Sequence, residues 1–256
     1  MYLRADDGLA SVGTGIGSST RLALGPAAMQ SGQPFELTSE QIKTILQSLR
    51  HAPGAETFFY IHHDASGREP SYKFGVARAA AEGVLHQSDF NWGAAMDEAA
   101  KLSRKDRRPA GTPVANYQPA GFGHSHPRAD AGKPSGTDLG DLARIPTPTP
   151  MLALVFATVN MPRPGAVTRS ATRPSRASDK RIELEASLVW RSAYARAPNG
   201  QLIQPRLTLP GVADYASHQE AAAAMRRISP DLAFKYFAGK VVYDNGQFSS
   251  EFIEVR

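Results

Sequence analysis

Two imidazoles, a hydroxyl and a carboxylate fall close together in one part of this 256-residue chain. The stretch Gly121-Phe-Gly-His-Ser-His-Pro127 is followed by Ser135-Gly-Thr-Asp138. His124 and His126 alternate, so an extended backbone sends both side chains off the same face. Ser135 and Asp138 have the spacing of neighbours in the first turn of a helix and can face one point. Two neutral imidazoles and one carboxylate are the usual protein share of a catalytic zinc shell, with a further position left for water. His124, His126 and Asp138 are therefore the candidate metal ligands, and Zn²⁺ the candidate cofactor. The chain has no cysteine, which removes thiolate sites, disulfides and cysteine nucleophiles and leaves His, Asp and Glu as ligands.

The elements that must position these residues can be read on either side of them. Phe35 to Leu37 reads as a short strand where ordered structure starts, at Pro34. Thr38 and Gln41 have capping-box spacing, with Ser39 as another cap, and Ile42, Ile45, Leu46 and Leu49 form one helical face that Pro53-Gly54 ends. Thr57 to Ile61 is aromatic and β-branched, and Ser71 to Val76 returns as its partner strand. Residues 77–110 read as Ala-rich helix, clearest from Trp92 to Leu102, with Asp89 or Asn91 as cap. Gln118 to Phe122 is expected to be a strand running into His124, and a helix starts after Ser135. Met151 to Val159 is uniformly apolar, as in a central strand buried on both faces. Beyond it, Ile182 to Tyr194 and Leu202 to Leu209 read as strands, Ser217 to Ile228 as a helix, and Gly239 to Val255 as a hairpin turning at Asn245-Gly246.

Composition narrows the class. With 41% hydrophobic and 21% charged residues the chain is an ordinary globular one. No apolar run approaches the roughly 18 residues of a membrane span, and no apolar segment marks a signal peptide. A cytoplasmic protein, or one secreted without a cleaved signal, is expected. The net charge of +5 gathers at Arg104–Arg108 and Arg163–Arg181, which read as solvated loops, with an acidic partner or nucleic acid as the other reading. Gly13, Gly15 and Gly17 look like a phosphate loop but lack its strand, helix and lysine. His51, His62, His63, His86 and His218 read as structural or solvated.

The residues from Gly121 to Pro127 and from Ser135 to Asp138 resemble the signature of the JAMM/MPN+ zinc metalloproteases: a Glu, then His-Ser/Thr-His-Pro, then Ser-x-x-Asp. The resemblance extends over about residues 34–160, with Glu56 just before the second strand, Leu139–Ala143 as the following helix and Met151–Val159 as the buried strand. It implies an α+β or α/β fold of JAMM (cytidine-deaminase-like) type, a mixed β-sheet flanked by helices, with a C-terminal α+β extension. The segments would be a flexible arm (1–33), the zinc metalloprotease core (34–160), a basic Pro/Ser loop (161–181) and an extension of unknown role (182–256). The loop between Pro127 and Ser135 is one residue longer than in the better-known eukaryotic members. Asp141, one turn beyond Asp138, is the other carboxylate that could reach a metal; Asp138 keeps the Ser-x-x-Asp spacing.

The resemblance also implies roles. His124, His126 and Asp138 would hold Zn²⁺, Glu56 would be the general base, and Ser135 would hydrogen-bond the oxyanion. Glu69 and Glu82 are rivals for the base. The implied activity is zinc-dependent hydrolysis of peptide or isopeptide bonds, on a protein or peptide partner such as the tail of ubiquitin or a ubiquitin-like protein. The cysteine-free, Ala-, Arg- and Pro-rich composition has a bacterial look, and since some bacterial relatives accompany secretion-linked toxin modules, the resemblance implies a bacterial effector. Two other classes compete: a non-catalytic MPN-type scaffold, and a nucleic-acid-processing protein of RadC-like type.

Overall fold

The computed structural model describes residues 22–51, 55–66, 72–83, 85, 90–126, 132–159, 181–211, 214–244 and 246–256. In chain order the elements are β1 (Leu22–Ala23), α1 (Pro26–Ser31), β2 (Phe35–Glu36), α2 (Ser39–His51), β3 (Thr57–Asp64), β4 (Tyr72–Phe74), β5 (Arg78–Ala79), α3 (Trp92–Lys105) and β6 (Tyr117–Ser125). There follow α4 (Gly136–Arg144), β7 (Met151–Thr158), β8 (Ile182–Arg191), α5 (His218–Arg226), β9 (Phe234–Asp244) and β10 (Gln247–Glu254). The class is α+β: one mixed sheet in the order β1-β2-β10-β9-β8-β7-β6-β3-β4, with β5 also paired to β3. β6 and β7 are parallel and are linked through α4; most other pairs are antiparallel.

Side-chain alternation sorts the core onto two faces. Met29 of α1 and Ile42, Ile45 and Leu46 of α2 pack with Phe59, Ile61, Leu154 and Phe156 on one face. On the other, Leu139 and Leu142 of α4 and Ala221 and Met225 of α5 cover Phe122, Ala153 and Val189. Ala95 of α3 packs with Phe58 and Tyr60 on that same side. β7 is buried along nearly its whole length, as its unbroken apolar run predicts.

Ordered elements begin before Pro34, the start expected from the sequence. Pro26 stands in the first turn of α1, and Gly32 ends it with φ 68° while its N–H donates to the Ala28 carbonyl. This bracket seats Ala28 and Met29 in the core. Two other expectations are corrected. Residues 77–83 are not helical: Arg78–Ala79 pairs with Thr57 and Phe58 of β3, so sheet pairing overrides the helix propensity of the alanines. Leu202–Leu209 is not a strand but holds an isolated bridge from Leu202 to Arg196, and Pro205 has no N–H to give a ladder. The described part of 182–256 supplies β8, β9 and β10 to the same sheet, with Phe252 pairing back to Phe35.

The pairing of β3 with β6 is what places the site, and its far end is locked by charge. Asp64 closes β3 and accepts hydrogen bonds from the Ser66 hydroxyl at 2.6 Å, the Ser66 N–H at 3.0 Å and the Asn116 N–H at 3.3 Å. Arg108 ion-pairs with the same carboxylate. Burial alone would raise the Asp64 pKa; these hydrogen bonds and the guanidinium reverse that and hold it well below the usual carboxylate range. A carboxyl depressed in the folded state stabilises the protein above its unfolded pKa, and that contribution is lost as pH falls through the folded value. In urea titrations, Asp64→Asn is expected to be less stable than wild type by about 2–3 kcal/mol near pH 7. The gap should narrow progressively below about pH 4; a gap independent of pH would refute the charged-anchor account.

Candidate metal centre

The His-x-His stretch straddles the end of β6, with His124 and Ser125 its last residues and His126 the next one. Phe58 pairs with His124, and Thr57 donates its N–H to the Ser125 hydroxyl at 3.0 Å. A hydroxyl chain runs behind the site, from Ser48 of α2 to Thr57 at 2.5 Å and on to Ser125 at 2.9 Å. The residue between the two histidines thus anchors the strand to the opposite layer while both imidazoles face α4. Gly121 and Gly123 allow close packing. At Gly121, with φ 153°, a Cβ would collide with the Leu152 backbone, and at Gly123 it would fall 2.5 Å from the Phe59 ring.

Helix α4 brings the carboxylate. Ser135 is its N-cap and forms a capping box with Asp138, whose N–H donates to Ser135 Oγ at 3.2 Å. The Asp138 Oδ2 atom accepts from the Ser135 N–H at 2.7 Å and from the Ser135 hydroxyl at 2.8 Å. One carboxylate therefore both closes the helix N-terminus and faces the histidines. His124 Nε2 lies 3.2 Å from Asp138 Oδ1, His126 Nε2 lies 3.5 Å from Asp138 Oδ2, and the two Nε2 atoms are 3.0 Å apart. Ligands about 2.0–2.1 Å from a tetrahedral zinc ion stand roughly 3.3 Å from one another. The observed separations lie around that value, with His124 measured to one Asp138 oxygen and His126 to the other.

His124, His126 and Asp138 thus form a group that could hold a metal ion. His124 is buried and the other two are partly buried. Burial works against the Asp138 carboxylate, and the two neighbouring imidazoles more than offset it, holding its pKa well below the ordinary range. His124 Nδ1 is buried without a hydrogen-bond partner, whereas ligating histidines usually donate from their second nitrogen. The orienting bonds fall instead on Asp138, through Ser135.

The other site residues sort clearly. Asp141 is outside the group; its carboxylate binds Arg144 at 3.2 Å, and burial raises its pKa. Glu56 precedes β3 by one residue and, continuing the Phe58–His124 register, falls across from His126 on the same face. Its Oε2 accepts the Leu85 N–H at 2.6 Å, and it is not part of the three-residue group. Glu82 is exposed, and Glu69, Pro127 and His86 lie outside the described residues, as do Gly13–Gly17 and nearly all of Arg163–Arg181. His62 is fully buried and His63 partly buried, and neither joins the group. Within the basic cluster, Arg108 is committed to Asp64 and also lies 3.5 Å from Asp106.

Sequence reasoning missed the aromatic wall beside His124. The Phe90 ring lies tilted at 4.2 Å from Phe122 and edge-on at 5.7 Å from Phe58, and Phe122 is 6.2 Å from the His124 ring. The alternation of Phe122 with His124 was the available signal. His218, read from the sequence only as structural or solvated, lies 2.8 Å from both Glu185 and the Tyr236 hydroxyl. No family model, no curated protein and no solved structure matches this chain.

A metal ion held by this group should be found at about one equivalent per chain by plasma emission analysis and be lost in His124→Ala. Ser135→Ala should keep the site, and the backbone N–H on Asp138 with it, but weaken metal binding about 10-fold in chelator competition, because Asp138 loses the hydroxyl that also orients it. Equal affinity in wild type and Ser135→Ala would show that the capping box does not support the ligand.

Proposed function

We propose that the chain is a zinc-dependent hydrolase of peptide or isopeptide bonds, with the JAMM-type division of labour among its residues. The observation that carries this is the convergence of His124, His126 and Asp138 at zinc-ligand spacing on the face that Glu56 shares. Support also comes from element order. A strand and helix (β2, α2) precede Glu56 and β3, the histidines lie at and just past the end of β6, Asp138 is in the first turn of α4, and buried β7 follows in parallel.

His124, His126 and Asp138 would hold the ion. Zinc bound there would lower the pKa of its water toward 7 and polarise the scissile carbonyl. Glu56 would take the water's proton and deliver it to the leaving amine. For that its carboxylate must face the water, and the Leu85 N–H, which donates to its Oε2, would orient it. Ser135 has one hydroxyl proton, on Asp138 in this structure, and would share it with the developing oxyanion. The Phe58, Phe90 and Phe122 rings would keep one side of the site dry, which strengthens each of these electrostatic interactions.

The substrate would be an extended protein tail, such as that of ubiquitin or a ubiquitin-like protein. β4 ends the sheet next to β3, and an extended segment can pair with such an edge. Among the described residues no helix is long and apolar enough to cross a membrane.

The reading is tested by incubating zinc-loaded wild type and Glu56→Gln with ubiquitin chains and unrelated peptides. Cleavage by wild type should fall at least about 100-fold in the variant while bound zinc stays the same. Equal cleavage by both proteins would remove Glu56 from the mechanism, and zinc-loaded wild type inert on the whole panel would count against the peptidase reading.

A further inference from the structure

A second polar chain lies beyond the loop that carries Ser135. Glu185 of β8 is next to Ala157 of β7 and opposite Lys240 of β9. His126, just past the end of β6, donates its N–H to the Phe156 carbonyl at 2.9 Å, so it stands beside Ala157. Glu185 is therefore two strands from His126, about 10 Å away along the sheet. Val189, four residues along β8, packs under α4 and α5, so Glu185 faces the same side as the two ligands.

Residues 132–135 cross this gap. Gly132 rests on the β8 backbone so closely that a Cβ would fall 2.5 Å from the Glu185 carbonyl oxygen and 2.8 Å from its Cβ. Lys133 Nζ lies 3.9 Å from Glu185 Oε1. The same Oε1 is 2.8 Å from His218 Nε2, at the first turn of α5. His218 Nδ1 is 2.8 Å from the hydroxyl of fully buried Tyr236 on β9. Two residues after Lys133, Ser135 caps α4 and holds Asp138.

We infer that Glu185 and His218 are positioning residues for the metal ligand Asp138, acting through Lys133 and the Gly132 contact on the Ser135 cap. The inference rests on the metal-site reading. The four residues come from the loop, β8, α5 and β9, and they end on a tyrosine that the core fixes. They turn a loop anchor into a rigid one, and a ligand held through a capping box is only as well placed as the cap. None of the four touches the metal position, so their effect must pass through Ser135 and Asp138.

The test substitutes cobalt(II) for zinc and reads the visible d–d bands, which report ligand geometry independently of any turnover. It also measures zinc affinity by chelator competition. Glu185→Ala and His218→Ala are expected to weaken zinc binding about tenfold or more and to alter the cobalt bands. Glu185→Gln, whose amide oxygen can still accept from His218, should recover much of the loss. Lys240→Ala, facing Glu185 in the sheet but paired with Glu183 at 3.5 Å, should match wild type. His218→Ala, on a partly exposed helix start, supplies the answer if Glu185→Ala fails to fold. Wild-type cobalt bands and zinc affinity in folded His218→Ala and Glu185→Ala would overturn the positioning role and leave the metal site standing. Absence of cobalt binding in wild type itself would remove the metal-site reading and this inference with it.

Discussion

Two imidazoles and a carboxylate, each offering one ligand atom, are held within 4.8 Å of one another where β6 meets the start of α4. The two Nε2 atoms and the Asp138 carboxylate cannot all present lone pairs at this spacing unless a proton or a cation sits among them. Much of the surrounding structure serves to keep them there. The fold supplies the position, the capping box supplies the orientation of Asp138, and burial of His124 excludes the water that would otherwise solvate each group separately. A cation at the centre satisfies all three at once, and the separations suit one with bonds about 2.0–2.1 Å long.

That convergence depends on the register of β3 on β6. A slip of one residue would turn His124 and His126 to the α2 face and Ser125 toward α4. Several features oppose it. The hydroxyl chain Ser48–Thr57–Ser125 recognises one register near the site, and the Asp64 anchor recognises it at the other end. Between them the irregularity at Ile61/His62 fixes which residues of β6 are paired. Stability and site geometry are thus bound together: the residues that hold β3 to β6 also set where Glu56 stands relative to His126.

What the sequence disclosed, and what it hid, follows from the range of the forces involved. His124, His126 and Asp138 were legible because alternation in a strand and a Ser-x-x-Asp cap are local patterns. The Thr38–Gln41 capping box was legible for the same reason, and both of its bonds form, at 2.8 Å and 3.3 Å. Asn91 caps α3 through a bond from the Ala94 N–H. The helix expected at residues 77–83 failed because its alternative, pairing with Thr57 and Phe58, is set by a strand some twenty residues earlier. α1 was missed although Pro26 and Gly32 bracket it, since a helix of one and a half turns shows little periodicity. The Glu185–His218–Tyr236 chain joins β8, α5 and β9, and no spacing in the sequence announces it.

Zinc K-edge X-ray absorption of the zinc-loaded protein reads the immediate surroundings of a metal ion bound at His124, His126 and Asp138. An ion held by these residues should show about four light N/O neighbours near 2.0–2.1 Å, with the outer-shell scattering of two imidazoles. That scattering should drop to one imidazole in His126→Ala. An all-oxygen shell, or a wild-type spectrum with no imidazole scattering, would contradict an ion held by these residues.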